Sequence, residues 1–196
     1  MTTLATDDFN RANSTTLGSN WTVIDPGWTV NNSTALCTTL AVISSIYTGV
    51  SFPNDQWCQA TFASSGPITA DTGVGPMVRS DTTNALVLFQ TNAADSRVYL
   101  RSTSGVFTQL GVTGPGVAAG DVLYLQVIGT TAIAKINTST VCGTLTSTAF
   151  PTGGKAGMFG ALDGPAGVLD NWSAGDFGSG SVFDEDCRWY TVIQQY

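Results

Sequence analysis

Few side chains in this chain of 196 residues can carry a proton through a reaction or form a covalent bond. Histidine is absent, which removes Ser-His-Asp and Cys-His nucleophile activation, imidazole ligation of a metal and proton switching by imidazole. Glutamate occurs once, as Glu185, far along the chain. Hydrolysis of a glycosidic bond with retention needs two carboxyl groups about 5 to 5.5 Å apart. The nearest candidates for an all-aspartate pair are Asp163 and Asp170, and ordinary loop and turn positions are the simpler reading of both. Cys37, Cys58, Cys142 and Cys187 show no CxxC spacing, so zinc is not expected. Cys37 and Cys58 sit among strand-like residues, where a small buried thiol is the default, and cross-strand disulfide pairing stays open. The inventory therefore predicts no catalytic residue, no metal and no cofactor: a protein that is not an enzyme.

Charge narrows the partners. Charged residues make up 11% of the chain, apolar residues 42%, and the net charge is −7. That apolar share is enough to close a core and argues against disorder. Arg11, Arg79, Arg97, Arg101, Lys135, Lys155 and Arg188 are scattered, so a nucleic-acid backbone has no basic cluster to meet. No nucleic-acid and no membrane partner is expected. The opening Met1-Thr2-Thr3-Leu4-Ala5-Thr6-Asp7-Asp8 has neither a basic nor an apolar signal-peptide segment. The expectation is a chain made and kept in the cytosol, or released by lysis, with reduced thiols.

The elements that must position these groups are strands. Segments rich in β-branched and aromatic residues, bounded by Gly, Pro, Asn or Asp, recur from residue 21 to residue 177. Trp57-Cys58-Gln59-Ala60-Thr61-Phe62 places Cys58, Ala60 and Phe62 on one face, the period of a half-buried strand. Val98-Tyr99-Leu100-Arg101 alternates similarly. Ala85 to Phe89 and Val122 to Ile128 are apolar on both faces, as central strands covered from both sides are. Hairpins are predicted to turn at Ser104-Gly105 and near Gly129. The length suits one all-β sandwich with a tail.

Five blocks then occur in order: Asp7-Asp8-Phe9-Asn10-Arg11 with Leu17-Gly18-Ser19-Asn20-Trp21; Phe52-Pro53-Asn54-Asp55-Gln56-Trp57; Gly73 to Arg79; Val117 to Leu125; and Gly154 to Gly160 with Leu169-Asp170-Asn171-Trp172-Ser173. Together they resemble the concanavalin A-like (laminin-G-like) jelly-roll domains of bacterial surface proteins and phage virion proteins. The resemblance implies an antiparallel two-sheet jelly-roll sandwich over residues 1–177. It implies first and last strands lying side by side, with Asp7, Asp8 and Asp170 at their ends. Those carboxylates would serve as strand-end caps and edge charges, or would hold calcium. Glycosidases of this fold usually carry paired glutamates on one strand, and that feature does not carry over to this chain. Where the family commonly turns on Asn-Gly, this sequence has Ile136-Asn137-Thr138-Ser139. Trp28, Trp57 and Trp172 would form a lectin-like aromatic platform if exposed, and core residues if not.

After Phe177 the composition changes to Gly178-Ser179-Gly180-Ser181 and then to an apolar, aromatic segment, so residues 178–196 read as a linker and arm. The arm would fold back over its own domain or add itself to a neighbour, with Phe183, Trp189, Tyr190, Val192, Ile193 and Tyr196 as the contact residues. The leading expectation, taken from the resemblance with the missing catalytic groups and the aromatic arm, is a virion protein. It would be a capsid cement or decoration subunit that binds the major capsid protein or neighbouring subunits, self-associates, and is made in the host cytoplasm. The alternative is a carbohydrate-binding module of a tail fibre or cell surface, with a glycan as partner. A glycoside hydrolase or lyase ranks last.

Overall fold

The computed structural model describes residues 1–38, 42–64, 73–80, 86–161, 167–178, 181–183 and 189–191. Strands are numbered in chain order. An eight-stranded antiparallel sheet runs β13 (Ser139–Thr146), β12 (Thr131–Ile136), β11 (Val122–Ile128), β6 (Gln56–Ser64), β15 (Gly167–Asp176), β4 (Thr34–Cys37), β3 (Trp28–Asn31), with β1 (Thr2–Asp7) also paired to β15. A seven-stranded sheet runs β10 (Phe107–Pro115), β9 (Asp95–Arg101), β8 (Leu86–Thr91), β7 (Gly73–Ser80), β14 (Lys155–Ala161), β5 (Val42–Tyr47), β2 (Trp21–Asp25). The two sheets pack as a jelly-roll sandwich, all-β as the strand periodicity predicts, with no helix among the described residues.

Strand β15 joins the ends of the domain. Its Gly167 to Leu169 pair with Cys37 to Ala35 of β4, and Trp172 to Asp176 pair along the same edge with Asp7 to Thr2 of β1. The first and last strands do lie side by side. Phe9 has already left the strand, with φ of 52°.

Between the sheets, Cys58, Ala60 and Phe62 of β6, beside Leu123, Leu125 and Leu169 of the same sheet, join Val74, Val78 and Met158 of the other sheet in one continuous core. Trp57, on the opposite face, is buried as well, because Tyr124 and Phe177 cover it. Full burial of aliphatic and aromatic side chains of this size contributes about 1.5–3 kcal/mol each. The thiols of Cys37, Cys58 and Cys142 are free and buried, which excludes a disulfide among them; Cys187, Glu185 and Ala85 lie outside the described residues.

The hairpins turn where the sequence places them. Gly105 (φ 81°) closes β9–β10, and Gly129 (φ 54°) closes β11–β12. The β12–β13 turn forms without glycine, because Asn137 takes φ of 55° itself. Asparagine tolerates that region through local hydrogen bonding. Here its Oδ1 accepts from the Val122 amide at 2.9 Å and its Nδ2 donates to Asp121 at 2.8 Å.

Candidate functional site

The blocks that carry the family resemblance work mainly as locks. Asp7 accepts from the Phe9 amide at 2.9 Å, from Trp21 Nε1 at 2.8 Å, and from both ends of the Arg11 guanidinium at 2.7 and 3.0 Å. Arg11 also donates to the Leu17 carbonyl and lies over the Phe9 ring. The Asp7–Arg11 and Leu17–Trp21 blocks are thus one tied loop that seats Phe9 and Trp21 in the core. At another site Arg79, with φ of 52° and 2% exposed, donates to the carbonyls of Asn54, Gly129 and Pro151 and to Asp55. Gln56 accepts from the Arg79 amide and donates to the Gly154 carbonyl, and Asn54 Oδ1 accepts from the Gly153 amide. Four chain segments meet on one arginine, whose guanidinium pKa burial lowers despite Asp55.

These locks use up the acidic residues expected at the strand ends. A cleft of about 440 Å³ is lined by Thr6, Asp7, Asp8, Asn171, Trp172 and Ser173. Asp7 is committed as above, Asp8 accepts from Asn10, and Asp170 caps the Asn171 amide. Hydrogen bonds from Asn10 hold the Asp8 carboxyl below its usual pKa. No three His, Cys, Asp or Glu residues converge among the described residues. Capping is the role these aspartates play in the structure.

The tryptophan platform is not there. Trp28, Trp57 and Trp172 are 3%, 5% and 1% exposed, and Trp172 packs with Trp21 and Tyr47 at centroid distances of 4.8 and 5.1 Å. In the tail, Phe183 sits in β16 (Ser181–Phe183) and Trp189 and Tyr190 in β17 (Trp189–Thr191). These strands pair with each other, Phe183 opposite Trp189, in a separate two-stranded sheet. Val192, Ile193, Tyr196 and Asp163 lie outside the described residues.

A cluster that the sequence reading did not single out lies on the outer face of the seven-stranded sheet. Alternation along β9 turns Val98 and Leu100 to the core and Arg97, Tyr99 and Arg101 outward. Tyr99 meets Phe107 edge-on at 6.2 Å, Phe107 meets Phe159 at 5.8 Å, and Arg101 lies over the Phe107 ring at 5.3 Å. Arg101 Nη1 reaches Asp25 Oδ2 at 3.0 Å, and the Ser44 hydroxyl donates to the same oxygen at 2.7 Å. Arg97 pairs with Asp95 at 2.7 Å and donates to the Tyr99 hydroxyl at 3.4 Å.

The sheet order makes this geometry informative. Strands β9 and β2 stand five places apart, which on a flat sheet is about 24 Å. A salt bridge across that span requires the sheet to curl, so its outer face is concave. Ile46, Met77 and Phe159 form the buried floor, while Tyr99 and Phe107 stay half-buried above it. Planar rings beside hydrogen-bonding ion pairs on a concave face suit a ligand with both apolar and hydroxyl surface. The period-2 pattern of β9 was visible in the sequence; the convergence of β9, β10, β14 and β2 was not.

No protein-family model matches the sequence, and no curated protein matches it. Solved structures do resemble it. The carbohydrate-binding module CBM66 from Bacillus subtilis aligns with 78% of this chain and 94% of its own at 12% identity, with a TM-score of 0.64. The exoplasmic/lumenal domain of VIP36, in a form bound to Ca2+ and mannose, aligns over 91% and 92% at 10% identity and TM-score 0.59. The Crh5 transglycosylase in complex with NAG aligns over 90% and 85% at 13% identity and TM-score 0.61. Binding proteins and an enzyme share the architecture at identities this low, so the likeness is one of fold alone: the chain has the two-sheet jelly-roll sandwich fold.

Proposed function

We propose that the protein is a non-catalytic carbohydrate-recognition module that binds on the concave face of its seven-stranded sheet. The observation that carries this reading is the half-buried Tyr99–Phe107 pair flanked by the Arg97–Asp95 and Arg101–Asp25 bridges. Aromatic rings supply apolar area for the C–H faces of a sugar ring, and fixed polar groups beside them take its hydroxyls. Fold neighbours that include a carbohydrate-binding module and a mannose-bound domain support the reading. The absence of catalysis rests on the side chains: both described carboxylates on this face are clasped by arginines, and the one glutamate lies in the tail. Screening the protein on a glycan array and titrating the best ligand calorimetrically tests the proposal. Tyr99→Ala should weaken binding about tenfold or more, close to 1.4 kcal/mol. Undiminished binding by a folded Tyr99→Ala variant would place the site elsewhere, and turnover of any glycan would reject the non-catalytic reading.

The separate β16–β17 pairing favours a second reading, in which residues 178–196 form an assembly arm. Phe183, Trp189, Tyr190, Val192, Ile193 and Tyr196 would then contact a second copy or another virion subunit. The capsid cement role expected from the sequence draws no support from the solved structures that share the fold. Deleting residues 178–196 and finding the same oligomeric state by light scattering, together with no change in binding to capsids, would remove this reading.

A further inference from the structure

Resting on the carbohydrate reading, we infer that the ligand class is the neutral glycan, and that uronate-bearing, sulfated and sialylated chains are excluded. An anionic sugar is held most strongly by a cation able to turn toward it, and each side-chain cation of the described residues already has a partner within the protein. On the concave face itself, Arg97 is held by Asp95 at 2.7 Å and Arg101 by Asp25 at 3.0 Å, with all four side chains partly or largely buried. Each guanidinium thus meets a ligand already paired with a carboxylate.

Elsewhere the pattern repeats. Arg11 is bound by Asp7 and the Leu17 carbonyl, and Arg79 is enclosed by three carbonyls and Asp55. Lys155 donates to the Val50 carbonyl at 2.7 Å, and Lys135 lies 5.7 Å from the centre of the Tyr124 ring. Around these committed cations the chain carries a net charge of −7, a field that repels anionic ligands and is strongest at low salt. Charge-neutral hydroxyl recognition is what remains on the aromatic face. An Arg–Asp pair suits it, because the guanidinium donates to a hydroxyl oxygen and the carboxylate accepts from a hydroxyl hydrogen.

The test uses the full chain on an array of neutral glucans, mannans and xylans beside uronate-bearing, sulfated and sialylated glycans, read at low and high salt. Retention confined to the neutral glycans, and changing less than about twofold with salt, is expected, because salt sensitivity marks charge contacts. The variant Asp95→Asn removes the carboxylate paired with Arg97 at 2.7 Å while leaving its other contacts, and should raise retention on acidic glycans in a way that high salt abolishes. Wild-type binding to acidic glycans as tight as to neutral ones would overturn the inference while leaving carbohydrate recognition standing. An Asp95→Asn variant that gains no acidic binding would contradict the role given to the pair. No retention on any glycan would overturn the carbohydrate reading and the inference with it.

Discussion

Arg79 donates to three main-chain carbonyls and to Asp55 from a position that is 2% exposed, so replacing it removes more than a charge. Arg79→Ala leaves those carbonyls without their donor and should cost about 3–5 kcal/mol in urea unfolding. Arg79→Lys should recover little, since an ammonium cannot reach the same fan of acceptors. Full stability in Arg79→Lys would show the hub to be a point-charge site. Titration gives a second expectation. Burial pushes the Cys37 thiol up to about 12, and raises the Cys58 and Cys142 thiols and the Tyr124 phenol as well. In the unfolded chain the thiols ionise near pH 8.5 and the phenol near pH 10. Above those values the folded state holds more protons than the unfolded one, so stability falls as pH rises from about 8.5 toward 12. Below that window these groups contribute their full stability. With no histidine in the chain, the stability profile should be flat between about pH 5 and 8, a range in which imidazole is the usual source of slope. Melting temperatures across pH 5 to 11 check both halves, and a rise in stability above pH 9 would contradict the burial of these groups.

Elements show what was legible in the sequence and what was not. Strand faces could be read because the side-chain period is two: Cys58, Ala60 and Phe62 face the core as predicted, and Gly105 and Gly129 mark their turns. The Asn137 turn departs from the Asn-Gly pattern of the resembling domains, and it forms because asparagine supplies both the positive φ and two hydrogen bonds. Asn137→Ala keeps neither, and should destabilise by about 1–2 kcal/mol on thermal or urea unfolding. Asn137→Gly relieves the backbone and should cost less; equal losses would mean that the hydrogen bonds, not the backbone, hold the turn. Exposure of the tryptophans was not legible, because alternation assigns a residue to a face without saying what covers that face. Trp57 is buried outward under Tyr124 and Phe177, whereas Tyr99, on the other sheet's outward face, stays half-buried. The concave cluster was hidden for a related reason. Asp25 and Arg101 are 76 positions apart in sequence and five strands apart in the sheet, and only its curl brings them together.

The molecule as a whole is a sandwich whose recognisable sequence blocks hold loops to sheets, and whose candidate binding surface sets β9 and β10 residues from outside those blocks on a floor that includes Met77 and Phe159 from within them. The tail is separable in this account: a chain lacking residues 178–196 should bind glycan with an affinity within about twofold of the full chain, by calorimetry. Loss of glycan binding on truncation would make the tail part of the site. The central claim, glycan recognition by the concave face, is tested most directly by mapping amide chemical shifts while the best-retained neutral oligosaccharide is titrated in. The account predicts that perturbations centre on residues 97–101 and 107–109, with Asp25 and Ser44 following. Perturbations gathered instead at Thr6 to Asp8 and Asn171 to Ser173, or confined to the tail, would contradict it.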